Sequence, residues 1–237
     1  MEYQIGLSNL EKASDCSSRI KTGVDLLRAE KNDDVRRAFR LMNEAMLEQR
    51  RDPNQPEAVR HFKWRPFQLA FILMNLPGIS DPENSDREVA DILWFPTGGG
   101  KTEAYLGCIA YSIFLRRIRH PNSGGVTAVM RYTLRLLTSD QFDRAARLIC
   151  AMEVTRREKL SHTSVPISLG MWVGHKTTPN SYHDVRKELN DRDPYSSNDQ
   201  ATDESLLYQI RRCPRCGASI PFSALSLIHI SEPTRPY

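Results

Sequence analysis

Long apolar runs are missing from this chain of 237 residues. None reaches the roughly 18 consecutive apolar residues that a membrane-spanning helix needs. The N-terminus, Met1-Glu2-Tyr3-Gln4, lacks the basic-then-apolar order of a signal peptide. A cytoplasmic protein with no membrane partner is therefore expected. Cysteine is scarce: five residues, Cys16, Cys108, Cys150, Cys213 and Cys216, an odd and scattered set that does not suggest a disulfide framework. Neither charge sign dominates. The 33 Lys and Arg against 29 Asp and Glu leave a net +4, a balance that permits nucleic acid as a partner without pointing to it. No internal repeat is present.

What is present alternates between helical and strand-like patterns. From Asp33, apolar residues Val35, Ala38, Phe39, Met42, Ala45 and Met46 recur at three and four positions, one face of an amphipathic helix. Asp33 and Asp34 suit its positive end, and Asp52-Pro53 should stop it. Leu69 to Leu76 reads as an apolar helix ended by Pro77-Gly78, and residues 79–88 as turns. Val89 to Phe95, rich in large and β-branched residues, reads as a buried strand. Glu103 to His120 is a helix with Ala104, Leu106, Ile109, Ala110, Ile113 and Phe114 on its apolar side and cations at its end. Val126 to Met130 is a second strand. Thr138 to Gln141 fits a capping box for a helix carrying Phe142, Ala145, Leu148, Ile149 and Met152, and Val165 to Val173 is a third strand. This order predicts an α/β fold with a parallel sheet and right-handed crossovers. From Gly174 to Glu204 the chain is polar and aperiodic, and reads as a partly disordered surface insertion.

Between the first strand and its helix lies Pro96-Thr97-Gly98-Gly99-Gly100-Lys101-Thr102. Three glycines allow backbone angles that turn N–H groups inward around a phosphate. The following helix adds its positive dipole end. Lys101 is placed to reach the outer phosphates and the Thr102 hydroxyl to bind magnesium. The loop therefore predicts ATP and Mg2+ as ligands of Thr97, Gly98, Gly99, Gly100, Lys101 and Thr102. One departure stands out: G-x-x-x-x-G-K-[ST] asks for glycine at 95, where this sequence has Phe95.

Pro-Thr-Gly-x-Gly-Lys-Thr without that first glycine resembles motif I of superfamily 2 helicases and translocases. Arg65-Pro66-Phe67-Gln68 is similar to the segment in which that superfamily reads the adenine edge with a glutamine, here Gln68. Arg131-Tyr132-Thr133-Leu134-Arg135-Leu136-Leu137, with Gln141, stands where the superfamily touches a nucleic-acid backbone. Its hydroxyl and guanidinium groups suit phosphate. The strings Leu93 to Gly107 and Met130 to Thr138 look like the DrmA-type helicases of the DISARM anti-phage defence system. The resemblance implies a RecA-like first lobe, DNA contact through Arg131, Thr133 and Arg135, other defence subunits as partners, and ATP-driven translocation. It also exposes what is missing. No apolar run is followed by the Asp-Glu pair that completes a magnesium site, and no second-lobe arginine is present. No catalytic residue is therefore assigned, and the chain reads as an N-terminal fragment inactive by itself.

Cys213-Pro214-Arg215-Cys216-Gly217 reads as one knuckle of a zinc site, with two thiolates where structural zinc takes four ligands. The last residues, 226–237, resemble translated adaptor sequence and are set aside as a tail. The expected organisation is a helical segment over 1–60, a partial ATP-binding lobe over 61–173, a polar insertion with half a zinc knuckle over 174–225, and the tail. Two other readings stay open: a P-loop ATPase motor of another kind, and a non-catalytic nucleic-acid-binding module regulated by nucleotide.

Overall fold

The apolar spacing that begins at Asp33 becomes helix α2 (Asp33–Glu48), whose Val35, Ala38, Leu41, Met42, Ala45 and Met46 are buried. The structure is a computed structural model and describes residues 2–51, 63–96, 98–131, 135–160, 164–171, 181–190 and 212–220. Within its helices, the side chains of 2–5, 135–139 and 188–190 are not described. The other helices are α1 (Glu2–Arg28), α3 (Pro66–Ser80), α4 (Lys101–Arg119), α5 (Arg135–Lys159) and α6 (Tyr182–Asn190), with a 3-10 turn over Ser85–Glu88. The chain divides into two compact units, Met1–Leu169 and Gly170–Tyr237. Helices α1 to α5 belong to the first; α6, inside the segment read as a polar insertion, belongs to the second.

Helix α4 is the centre of the first unit. It packs on α2, α3 and α5. Its Leu106, Ala110, Tyr111, Phe114 and Leu115 are buried with Ile72 and Leu76 of α3 and Leu148 and Met152 of α5. The helices before residue 61 thus share one core with those after it. The Tyr111 hydroxyl lies 2.6 Å from that of Ser80, which satisfies a polar group inside this core. No helix among the described residues is long and apolar enough to cross a membrane.

Two helix ends differ from the sequence expectation. Helix α3 runs through Pro77 to Ser80. Pro77 has no N–H for the Leu73 carbonyl, and it is against this carbonyl that α1 closes: a Cβ on Gly23 would stand 2.0 Å from the Leu73 oxygen. Packing therefore carries the helix past its breaker. Helix α5 begins at Arg135, so Thr138 to Gln141 lies within the helix and does not open it.

The larger correction concerns the sheet. Among the described residues there is no strand, and the parallel α/β lobe is not formed; the only pairing is an isolated antiparallel bridge between Arg212 and Ser219. Residues 89–96, 126–131 and 164–171 lack regular structure. A β-branched apolar run selects extended backbone, but a strand also needs a ladder partner and cover for its side chains. Ile92, Trp94 and Val129 have neither here and are 86%, 93% and 83% exposed. Side chains tether these segments instead. Arg19 of α1 binds Asp86 at 3.0 Å and Asp91 at 2.6 Å. Arg116 of α4 donates to the carbonyls of Gly124 and Val126, and Arg117 to those of Ser123, Val165 and Pro166.

Glu153 of α5 fixes the last of these segments. Its carboxylate accepts from Arg156 at 2.7 Å, from Arg157 at 3.0 Å and from the Ile167 N–H at 3.0 Å. Burial by itself raises the pKa of this carboxyl, but the hydrogen bonds of Arg156, Ile167 and Arg157 outweigh it and bring the value from 4.5 to about 2. A folded-state pKa below the unfolded one adds stability that is present above the unfolded value and lost as pH falls through the folded one. Glu153→Gln should therefore be less stable than the parent at neutral pH. That difference should shrink as pH drops from about 5 towards about 2. Urea midpoints of both proteins across this range test it, and a pH-independent difference would contradict the assignment.

Candidate functional site

The glycine loop meets α4 through a strained junction that only glycine accepts. Gly98 and Gly100 have φ of 77° and 88°, in the left-handed region. Gly100 is the residue before the first turn of α4, and no side chain caps that turn. The first N–H groups of a helix have no partner within it. Here they face the loop together with the positive end of the helix dipole, an arrangement that suits an anion.

Phe95, in the place of the usual first glycine, has a structural role. Its ring stacks on Phe67 of α3, with centroids 3.8 Å apart at 15°. The loop bends tightly over this ring: a Cβ on Gly99 would lie 2.4 Å from Phe95 Cδ1. The Gly99 N–H donates to the Pro96 carbonyl at 3.1 Å and closes the turn. The aromatic residue that breaks the motif thus anchors the loop to α3 and makes glycine at 99 necessary.

Lys101 folds back over the loop, donating from Nζ to the Phe95 and Pro96 carbonyls at 2.5 and 3.2 Å. The two carbonyls hold the ammonium group at the mouth of the loop. Thr102 stands in the same helical turn. Thr97 lies outside the described residues.

Gln68 is 4% exposed and bridges helix and loop. Its Oε1 accepts from the Arg65 N–H at 2.9 Å, which caps α3, and its Nε2 donates to the Gly100 carbonyl at 2.7 Å. A Cβ on Gly100 would stand 2.7 Å from this same Nε2, so the glutamine and the left-handed glycine fit each other. The Arg65 guanidinium donates to the Gly99 carbonyl at 2.7 Å.

A second charged group went unread in the sequence. Glu103, next to Thr102, accepts from Arg144 of α5 and lies 3.6 Å from Arg50 beyond α2. Its Oε2 is buried with no partner among the described residues. Nothing in the spacing of Arg50, Glu103 and Arg144 signals this cluster; it arises because α2, α4 and α5 converge at the loop. The sequence signal for the Arg65 contact was present in Arg-Pro-x-Gln, which puts Arg65 at the helix cap beside the loop.

The residues read as nucleic-acid contacts are only partly described. Arg131 is exposed, Thr133 lies outside the described residues, and Arg135 is the first residue of α5 with an undescribed side chain.

In the second unit, Cys213 and Cys216 share a tight turn. The Cys213 N–H donates to Ala218 at 2.8 Å, the Gly217 N–H donates to Cys213 at 2.9 Å, and Gly217 has φ of 72°. Hydrogen bonds from the Cys216 and Arg215 backbone hold the Cys213 thiol below its ordinary pKa, against the opposing effect of burial. No group of three or more metal-ligating residues occurs among the described residues.

These elements define a class of site: a helical chain in which a glycine-rich loop, lysine and threonine gather at the open N-terminus of a buried helix. The particular relative is plain. The chain is 40% identical, over an alignment of 225 residues, to DISARM protein DrmA of Bacillus paralicheniformis. The match takes in 86% of this chain and 20% of the relative, so the chain spans about a fifth of that protein's length. No family model matches the chain, and no solved structure matches it.

The geometry makes Gln68 structurally costly to replace. Gln68→Ala leaves the Arg65 N–H and the Gly100 carbonyl without their partners, a loss of about 1–3 kcal/mol. A lowered urea midpoint is expected, and an unchanged midpoint would show that the bridge contributes nothing.

Proposed function

We propose that this chain binds magnesium-ATP through residues 96–102, as the nucleotide-binding part of an ATP-dependent DNA helicase or translocase of anti-phage defence. The observation that carries the reading is the junction at Gly100 and Lys101. There a left-handed glycine, an uncapped helix N-terminus and a lysine ammonium converge on one loop. Backbone N–H groups and a fixed cation are what a triphosphate requires. The similarity to a DISARM protein supports the defence role and a place among other subunits.

In this reading the Lys101 ammonium exchanges its two carbonyl acceptors for phosphate oxygens, a charge-assisted contact. Gly98, Gly99, Gly100 and Thr97 supply backbone, and the Thr102 hydroxyl takes the magnesium ion, which offsets phosphate charge. Reading adenine through Gln68 draws on the same carboxamide that holds Gly100, so base recognition and loop position become linked. Arg131, Thr133 and Arg135 contact the DNA backbone, and such contacts position a strand without reading its sequence.

The Glu103 carboxylate beside the loop already serves Arg144 and Arg50, and no residue described here is assigned to turnover.

Lys101→Ala removes a hydrogen bond to a charged group, about 1.5–3 kcal/mol. This corresponds to roughly a ten- to hundredfold weaker Kd for magnesium-ATP. Calorimetric titration of the folded parent and variant tests the site. Equal affinities would overturn it.

A further inference from the structure

Glu103 stands in the first turn of α4, three residues beyond Gly100. An acidic residue there ordinarily gains from the positive end of the helix dipole. In this chain the same end carries the glycine loop, so the carboxylate and a bound phosphate compete for it. The carboxylate lies close to the junction. A Cβ on Gly100 would stand 3.2 Å from Glu103 Oε2, and this oxygen is buried with no hydrogen-bond partner among the described residues. The cations of the loop itself are turned elsewhere: Lys101 donates to the Phe95 and Pro96 carbonyls, and Arg65 to that of Gly99.

The charge that answers Glu103 comes from α5. Arg144 donates from Nη2 to Glu103 Oε1, and the Glu103 side chain is 15% exposed. A pair sheltered in this way is screened less than one at the surface. Arg50 lies farther off, 3.6 Å from the same oxygen, with its side chain 44% exposed, so its attraction is weaker.

We propose that Arg144 is a positioning residue for the nucleotide loop: it neutralises Glu103 and so admits phosphate at the head of α4. The inference rests on the reading of residues 96–102 as a magnesium-ATP site. With Arg144 in place, Glu103 is a neutral strut between α4 and α5. With Arg144 withdrawn, it is an anion beside the phosphates and repels them. The affinity of the loop then depends on the position of α5.

The signs of the effects separate this role from a merely structural one. A structural pair loses the same contact whichever side is removed. A repelling charge and its screen act in opposite directions. Calorimetric titration of magnesium-ATP into the full chain reads the difference. Arg144→Ala should bind about tenfold more weakly than the parent, as expected for an unscreened like charge near the ligand. Glu103→Gln should bind more tightly than the parent. The double variant should return close to the parent, as should Arg144→Lys, which keeps the charge. Unchanged far-ultraviolet dichroism confirms that each variant is folded.

Equal weakening by Arg144→Ala and Glu103→Gln would overturn the proposal in favour of a structural pair. A double variant as weak as Arg144→Ala would overturn it too, since Arg144 would then act on the phosphates without Glu103. Parent affinity in Arg144→Ala would show that no screening occurs. Each of these results leaves the nucleotide site standing. Absence of binding by the parent, or equal binding by Lys101→Ala, would instead overturn the nucleotide reading and this inference with it.

Discussion

Burial of α4 between α2, α3 and α5 is the constraint on which the rest of the first unit depends. The helix is apolar along most of its length, with Ala110, Tyr111 and Phe114 removed from solvent. Burying large side chains of this kind contributes roughly 1.5–3 kcal/mol each. A helix held this way cannot shift along its axis without opening the core, so both of its ends are fixed points. At the first end stand the glycine loop, Gln68, Arg65 and Glu103. At the other, Arg116 and Arg117 reach the 123–126 and 165–166 carbonyls, and Arg119 joins Asp34 of α2 at 2.6 Å. The loop is thereby held by packing some distance from itself, and the segment leading to Arg131 is tied to the same rod.

Much of this was legible from periodicity. The faces of α2 and α4, and Ala145, Leu148 and Met152 of α5, were read from spacing alone, because burial of one helical face is a local rule that sequence obeys. Pro77 misled because the rule that proline ends a helix is also local, and tertiary contact with Gly23 overrode it. The sheet failed for a related reason. Val89 to Phe95 and Val126 to Met130 show the composition of strands, but composition says nothing of a pairing partner. Among the described residues the tethers are arginine side chains, where a ladder was expected.

The site divides in the same way. Gly98, Gly100 and Lys101 were legible as a motif because left-handed backbone needs glycine wherever it occurs. The role of Phe95 was not, since its ring makes sense only against Phe67 of α3. Glu103 escaped notice because its partners, Arg50 and Arg144, lie far from it in sequence and meet it only through the packing of three helices. Gln68 was singled out for base recognition; the geometry adds a bond to Gly100 that sequence could not display.

Phosphate binding by the amide groups at the head of α4 is the step on which the proposed role of the loop depends. Backbone amide resonances followed during titration with magnesium-ATP test this most directly. The largest shifts should fall on Gly98 to Glu103, with smaller ones at Gln68 and Arg65, and none of comparable size in α1 or α6. Saturable shifts centred elsewhere, or none at all at Gly98 to Glu103, would contradict it.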